Sequence, residues 1–122
     1  MSSTREALKS LLMEFNRSAG VMASALVTRD GILISSALPE GIDAEAFAAM
    51  TATMMGAAET AFSELKAGAA ERVIVEGSRV KIVVVGAGEN AILVTMASSD
   101  ATLGLILHQM RKFGEKIRKI LG

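Results

Sequence analysis

Residues 43–66 read DAEAFAAMTATMMGAAETAFSELK, and their spacing predicts one long helix with too little solvent-facing surface. No charge falls between Glu45 and Glu59, and a 3.6-residue wheel gives two apolar stripes. Phe47, Met50, Met54, Ala58, Ala61 and Leu65 form the first, and Ala48, Ala52, Met55 and Phe62 the second. A third line of small or hydroxyl residues, Ala49, Thr53, Gly56, Thr60 and Ser63, would let another backbone approach closely. Such a helix needs cover on more than one side. One stripe is expected to pack on the chain's own sheet and the remainder to meet a second copy or another partner. The density of methionine at Met50, Met54 and Met55 fits an adaptable interface.

Outward from this helix, the flanking sequence supplies strands and two further helices. Ser3 with Glu6 makes a capping box ahead of Leu8, Leu11, Leu12 and Phe15, so a first helix is expected from Thr4 to about Ser18, ended by Gly20. Val21 to Thr28 and Ile32 to Ala37 read as strands joined by Arg29-Asp30-Gly31, whose Asp-Gly pair suits a tight hairpin. Asp43 is the expected N-cap of the long helix. Behind that helix, Glu71 to Glu76, Arg79 to Val85 and Ala91 to Ala97 read as three strands whose short connections force an antiparallel meander. Ser98-Ser99-Asp100 is expected to cap a last helix from about Ala101 to Leu121, with Leu103, Ile106, Leu107, Met110, Phe113, Ile117 and Ile120 on its buried face.

This order predicts an α+β fold: a single five-stranded antiparallel sheet, the long central helix on one face and the N- and C-terminal helices on the other. Residues 1–122 then form a single domain. The strand Glu71 to Glu76 is separated from the first two strands by the long helix, which makes it a candidate for the sheet's edge. Arg72, Val73, Ile74 and Val75 would leave that edge bare and largely apolar, and pairing with its own copy would cover it. The same pairing would bring two long helices side by side, so a homodimer is expected.

Composition excludes several function classes. Thirteen Lys and Arg balance thirteen Asp and Glu, so no net field draws the chain to nucleic acid or an anionic membrane. Four Phe are the only aromatics, which removes most stacking platforms for single-stranded nucleic acid. The absence of cysteine rules out disulfides and thiolate zinc sites, and a single histidine, His108, makes a histidine metal site or triad a poor expectation. The opening residues carry no secretory pattern, and the charge-free part of the long helix is shorter than the ~20 residues a bilayer span requires. A cytoplasmic protein without integral membrane association is expected.

The catalytic motifs are weak. Gly86-Ala87-Gly88-Glu89-Asn90-Ala91 has the form G-x-G-x-x-A, but a dinucleotide fingerprint requires a helix to start at its last glycine. Ile92-Leu93-Val94-Thr95-Met96 follows instead, so a hairpin turn is the expected reading. Arg29, Arg72 and Arg79 lie at strand ends, where an arginine can reach a partner's transferring phosphoryl group; a solvated surface role is the simpler reading. Asp30, Asp43 and Asp100 read as turn and cap residues. Arg111, Lys112, Lys116, Arg118 and Lys119 fall on the outer side of the last helix as a solvated face, with His108 beside them. No catalytic residue, metal or cofactor is expected.

Gly20 with Val21 to Val27 ahead of Arg29-Asp30-Gly31-Ile32-Leu33, the stretch Val73-Ile74-Val75-Glu76-Gly77, and Leu103-Gly104-Leu105-Ile106 together resemble the Roadblock dynein-light-chain family, in particular its prokaryotic regulators of Ras-like GTPases. The resemblance covers essentially the whole chain. It implies a Roadblock/profilin-like fold, and a homodimer with edge strands joined into a ten-stranded sheet and the two long helices together on one face. It also implies a helix-pair platform for a small GTPase, acting without an inserted arginine. On this reading Met50, Thr53, Met54, Gly56 and Ala57 shape the platform, and Arg72, Val73, Ile74 and Val75 the dimer edge. A structural adaptor that joins larger assemblies independently of nucleotide is the alternative, and a small-molecule binder using the loop Gly86 to Asn90 a third.

Overall fold

The computed structural model describes residues 3–122. Eight elements follow in the order α1 (Thr4–Phe15), β1 (Val21–Thr28), β2 (Leu33–Ala37), α2 (Ala44–Glu64), β3 (Arg72–Glu76), β4 (Val80–Gly86), β5 (Ala91–Ser98) and α3 (Leu103–Leu121). The five strands form one sheet in the order β2-β1-β5-β4-β3, every neighbouring pair antiparallel. The expected α-ββ-α-βββ-α architecture is therefore the observed one, with β3 at an edge.

Local chemistry sets the element ends. The Ser3–Glu6 capping box forms with both bonds at 3.1 Å, and Asp43 Oδ1 accepts from Ala46 N–H at 3.0 Å. Helix α1 stops at Phe15, short of the expected Ser18. Asn16 leaves the helix to donate from Nδ2 to Ala37 O at 2.9 Å and to accept the Ser24 hydroxyl at 2.6 Å, which ties the turn to the sheet. At the β1–β2 turn, Gly31 takes φ +95°, where a side chain would be strained. The expected Ser98-Ser99-Asp100 cap is not used. Ser98 is still paired with Val80 in the sheet, Ser99 N–H is held by Arg79 O, and Thr102 becomes the N-cap of α3 without a side-chain bond.

Each face of the sheet buries its own apolar cluster. On one face α1 and α3 pack Leu8, Leu12, Phe15, Ile106, Met110, Phe113 and Ile117 against Leu26, Val83 and Leu93. The Phe15 and Phe113 rings lie 5.3 Å apart at 54°, a favourable tilted contact. On the other face α2 sets Ala48, Ala52 and Met55 on Ala25, Val27, Val84, Ile92 and Val94. The central strand β5 is buried on both sides, as its near-continuous apolar sequence demands.

Candidate functional site

The wheel of α2 divides as the spacing predicts along its first two-thirds. Ala48, Thr51, Ala52 and Met55 are buried against the sheet. Thr51 is tolerated there because its hydroxyl bonds Phe47 O and Ala48 O of its own helix, at 2.9 and 3.1 Å. On the opposite side Met50 is 62% exposed, and Thr53, Gly56 and Ala57 are exposed with it. Thr53 spends its hydroxyl proton on Ala49 O at 2.8 Å, so this outer side offers little polarity. A β-carbon on Gly56 would meet no atom within 4 Å. Met54 sits half-buried at the border, packed with Val73 and Ile82 against the inner cluster.

On the wheel Phe62 shares the stripe of Ala48, Ala52 and Met55, but unlike them it is 39% exposed. Every residue from Thr60 to Leu65 is exposed, because the last turns of α2 have no sheet beneath them. Phe62 and Leu65 therefore extend the exposed apolar side of the helix.

Strand β3 borders the same region. Its register with β4 places Val73 opposite Val84 and Ile74 opposite Val83. Val84 belongs to the α2 core and Val83 to the α1–α3 core, so Val73 and Val75 face the α2 side and Arg72, Ile74 and Glu76 the other. Only Val73 is half-buried, and the rest of the strand is exposed. The two edges of the sheet differ. At β2, Ser36 O accepts from Lys9 Nζ and Ala37 O from Asn16 Nδ2, so side chains of α1 and its cap cover that edge. At β3 the nearest ion pair is a loose one, Arg72 to Glu71 at 3.7 Å.

The other sequence candidates separate from this surface. Arg29 Nη1 lies 2.7 Å from Glu59 Oε2, which ties the β1–β2 turn to α2 and occupies that guanidinium. Arg79 sits exposed in the β3–β4 turn. His108 and the basic residues of α3 are all exposed; of these, Arg118 is paired with Glu115 at 2.9 Å, and the Lys116 amine stands 4.8 Å over the Phe113 ring. The Gly86 to Asn90 segment is a hairpin turn closed by Ala87 N–H to Ala91 O at 2.9 Å, with a strand behind it. It borders a cavity of about 680 Å³ between two hairpins and the end of α3, lined by Ile34, Asn90 and Leu121 among others. Both arginines at that cavity, Arg29 and Arg118, are already engaged by carboxylates. Among the described residues no cluster of His, Cys, Asp or Glu is placed to hold a metal ion, and no helix is long and apolar enough to cross a membrane.

Sequence reasoning did not single out Glu76 or Lys81. Lys81, opposite Glu76 in the ladder, is only 6% exposed and donates to Ala101 O at 2.9 Å. Its amine is thereby drawn away from Glu76 and into the loop before α3. No sequence signal reports this, since a lysine in an alternating strand ordinarily marks solvent.

The profile of the family described as Roadblock/LC7 domain matches residues 8–97. An uncharacterized protein of Methanocaldococcus jannaschii, MJ1340, is 39% identical over 108 residues, spanning 88% of this chain and 94% of its own length. Among solved structures, MglB of Myxococcus xanthus superposes with a TM-score of 0.88 at 22% identity, covering 94% of both chains. The gliding protein MglB of Thermus thermophilus gives 0.87 at 22% identity, covering 98% of this chain and 92% of that one. At such identities the structural likeness is one of fold.

Proposed function

This chain belongs to the Roadblock/LC7 domain family, and from that premise we propose that it is a non-enzymatic homodimeric platform that regulates a Ras-like small GTPase. The chain acts as one domain in the cytoplasm. The observation that carries the reading is the coincidence, on one side of the molecule, of an apolar outer helix face and an apolar bare sheet edge. Met50 is 62% exposed, Leu65 74% and Val75 42%. Surplus apolar surface of this kind, contiguous with unpaired backbone, marks an interface. A second copy offers the same two features, and a two-fold interface is self-complementary by construction.

In that dimer Arg72, Val73, Ile74 and Val75 form the strand junction. Met50, Thr53, Met54, Gly56 and Ala57 shape the paired helices into a platform for the GTPase. Its role is to bind one nucleotide state of the GTPase better than the other, since only differential affinity shifts an equilibrium. No residue of this chain enters the chemistry. Arg29 is held by Glu59, and a regulator that repositions the GTPase's own groups needs no inserted guanidinium.

Tagged protein incubated with lysate of its source cell, with GDP or with a non-hydrolysable GTP analogue, tests the reading. Capture of a small GTPase mainly with the analogue is the expected result. Equal capture in both conditions favours a nucleotide-independent adaptor, and no captured GTPase rejects the regulator reading.

A further inference from the structure

The backbone and charges of β3 go further and fix how two copies would join; the inference rests on the homodimer reading above. Gly77 N–H donates to Val80 O at 2.8 Å, so Gly77 turns its backbone groups towards β4. In an antiparallel strand a residue turns both groups to one side and its neighbours turn theirs to the other. Val75 and Val73 therefore also address β4, and Arg72, Ile74 and Glu76 present their N–H and C=O groups outward at the bare edge. Their side chains share one face, that of α1 and α3.

The charges on this face are self-complementary. Read in either direction, Arg72-Val73-Ile74-Val75-Glu76 has an apolar centre flanked by opposite charges at equal distance. Glu76 has no ion-pair partner within the chain among the described residues. The cation across the ladder from it, Lys81, is committed to Ala101 O. Arg72 holds only Glu71, at 3.7 Å, with its own side chain 40% and that of Glu71 81% exposed.

We propose that β3 pairs with β3 of a second copy in antiparallel register about Ile74, setting Arg72 opposite the partner's Glu76 at both ends of the junction. In this register every outward group of Arg72, Ile74 and Glu76 meets an outward group of the partner. Sliding by one residue sets outward groups against inward ones and turns the side chains to the wrong faces. Sliding by two leaves Arg72 or Glu76 against Ile74, strands a charge, and shortens the ladder. Only the register centred on Ile74 uses the whole strand and pairs both charges. It also sets Val73 against the partner's Val75 on the α2 side, beneath the seam where the two long helices meet.

The dimer constant of the full chain, measured by sedimentation and dilution, tests the register. Arg72→Glu or Glu76→Arg places like charges opposite each other twice per dimer and should weaken it by about tenfold or more. Arg72→Glu combined with Glu76→Arg should restore the constant to within roughly threefold of the parent. Equal strength for the single and parent proteins, or no rescue in the double variant, overturns the register while leaving a dimer in place. The absence of native cysteine gives an independent readout. Directly opposed strand residues lie about 5.5 Å apart at their α-carbons, within disulfide range, and residues offset by two do not. Ile74→Cys should therefore cross-link on oxidation while Val73→Cys and Val75→Cys do not. Preferential cross-linking at 73 or 75 overturns the register, and a parent protein that sediments as a monomer overturns the homodimer reading with it.

Discussion

The guanidinium of Arg29 stands over the backbone of Gly86. Its Nη2 is 2.9 Å from where a β-carbon on residue 86 would lie, while its Nη1 is 2.7 Å from Glu59 Oε2. The missing side chain at the end of β4 is what lets an arginine from the β1–β2 turn reach α2. Three sequence-distant elements meet through that one passage.

Gly86→Ala should push Arg29 aside and break its pair with Glu59. The far end of an arginine moves readily, and both partners are partly exposed, at 32% and 43%. The loss should therefore be about 0.5–1 kcal/mol. Denaturant unfolding of Gly86→Ala, Arg29→Ala and the double variant checks this, with the double variant no less stable than Arg29→Ala alone. Full additivity of the two losses would refute the coupling.

Gly20→Ala should cost far more. Its φ is +84°, and an added β-carbon would lie 2.5 Å from Ala101 Cβ, an atom fixed to backbone with no torsion to swing it away. Left-handed strain and the clash together should remove about 2–4 kcal/mol. A denaturation midpoint shifted no further than that of Gly86→Ala would contradict the packing of this turn against the loop before α3.

Thr95 carries the opposite expectation. It is fully buried in the central strand, and its Oγ1 has no hydrogen-bond partner. Thr95→Val removes the orphaned hydroxyl at nearly the same shape and should leave stability unchanged or raise it by about 1 kcal/mol. Thr95→Ser keeps the hydroxyl, deletes the methyl and should cost about 1 kcal/mol. A valine variant less stable than the serine variant would mean that the hydroxyl is bonded.

These sites show where sequence reading stops. The strands of the meander were legible from alternation and short connections, and the edge position of β3 from the helix that separates it from β2. The inner stripe of α2 was legible because Ala48, Ala52 and Met55 keep helical spacing where the sheet lies beneath them. Phe62 keeps the same spacing and is exposed, since periodicity records what a helix can bury but not where the sheet ends. Lys81 and Asn16 were illegible for a related reason: each is placed by a backbone carbonyl far along the chain, Ala101 O and Ala37 O. The candidate surface was thus readable as an excess of apolar residues. The proposed pairing of its charges rests instead on the hydrogen-bond direction at Gly77, which no sequence pattern reports.

Gly56 separates fold from interface most cleanly. No atom lies within 4 Å of where its β-carbon would stand, so an arginine there has room in the isolated chain. Replacing a helical glycine should, if anything, stabilise the monomer by about 0.5–1 kcal/mol. In the proposed dimer the same position lies where two helices approach, and a charged side chain there would be buried without a partner. Gly56→Arg should therefore keep or raise its unfolding free energy as a monomer while sedimenting with a greatly weakened dimer and losing capture of the GTPase. Loss of fold would contradict the open space at Gly56, and a variant that stays dimeric with full partner binding would remove this helix face from the platform.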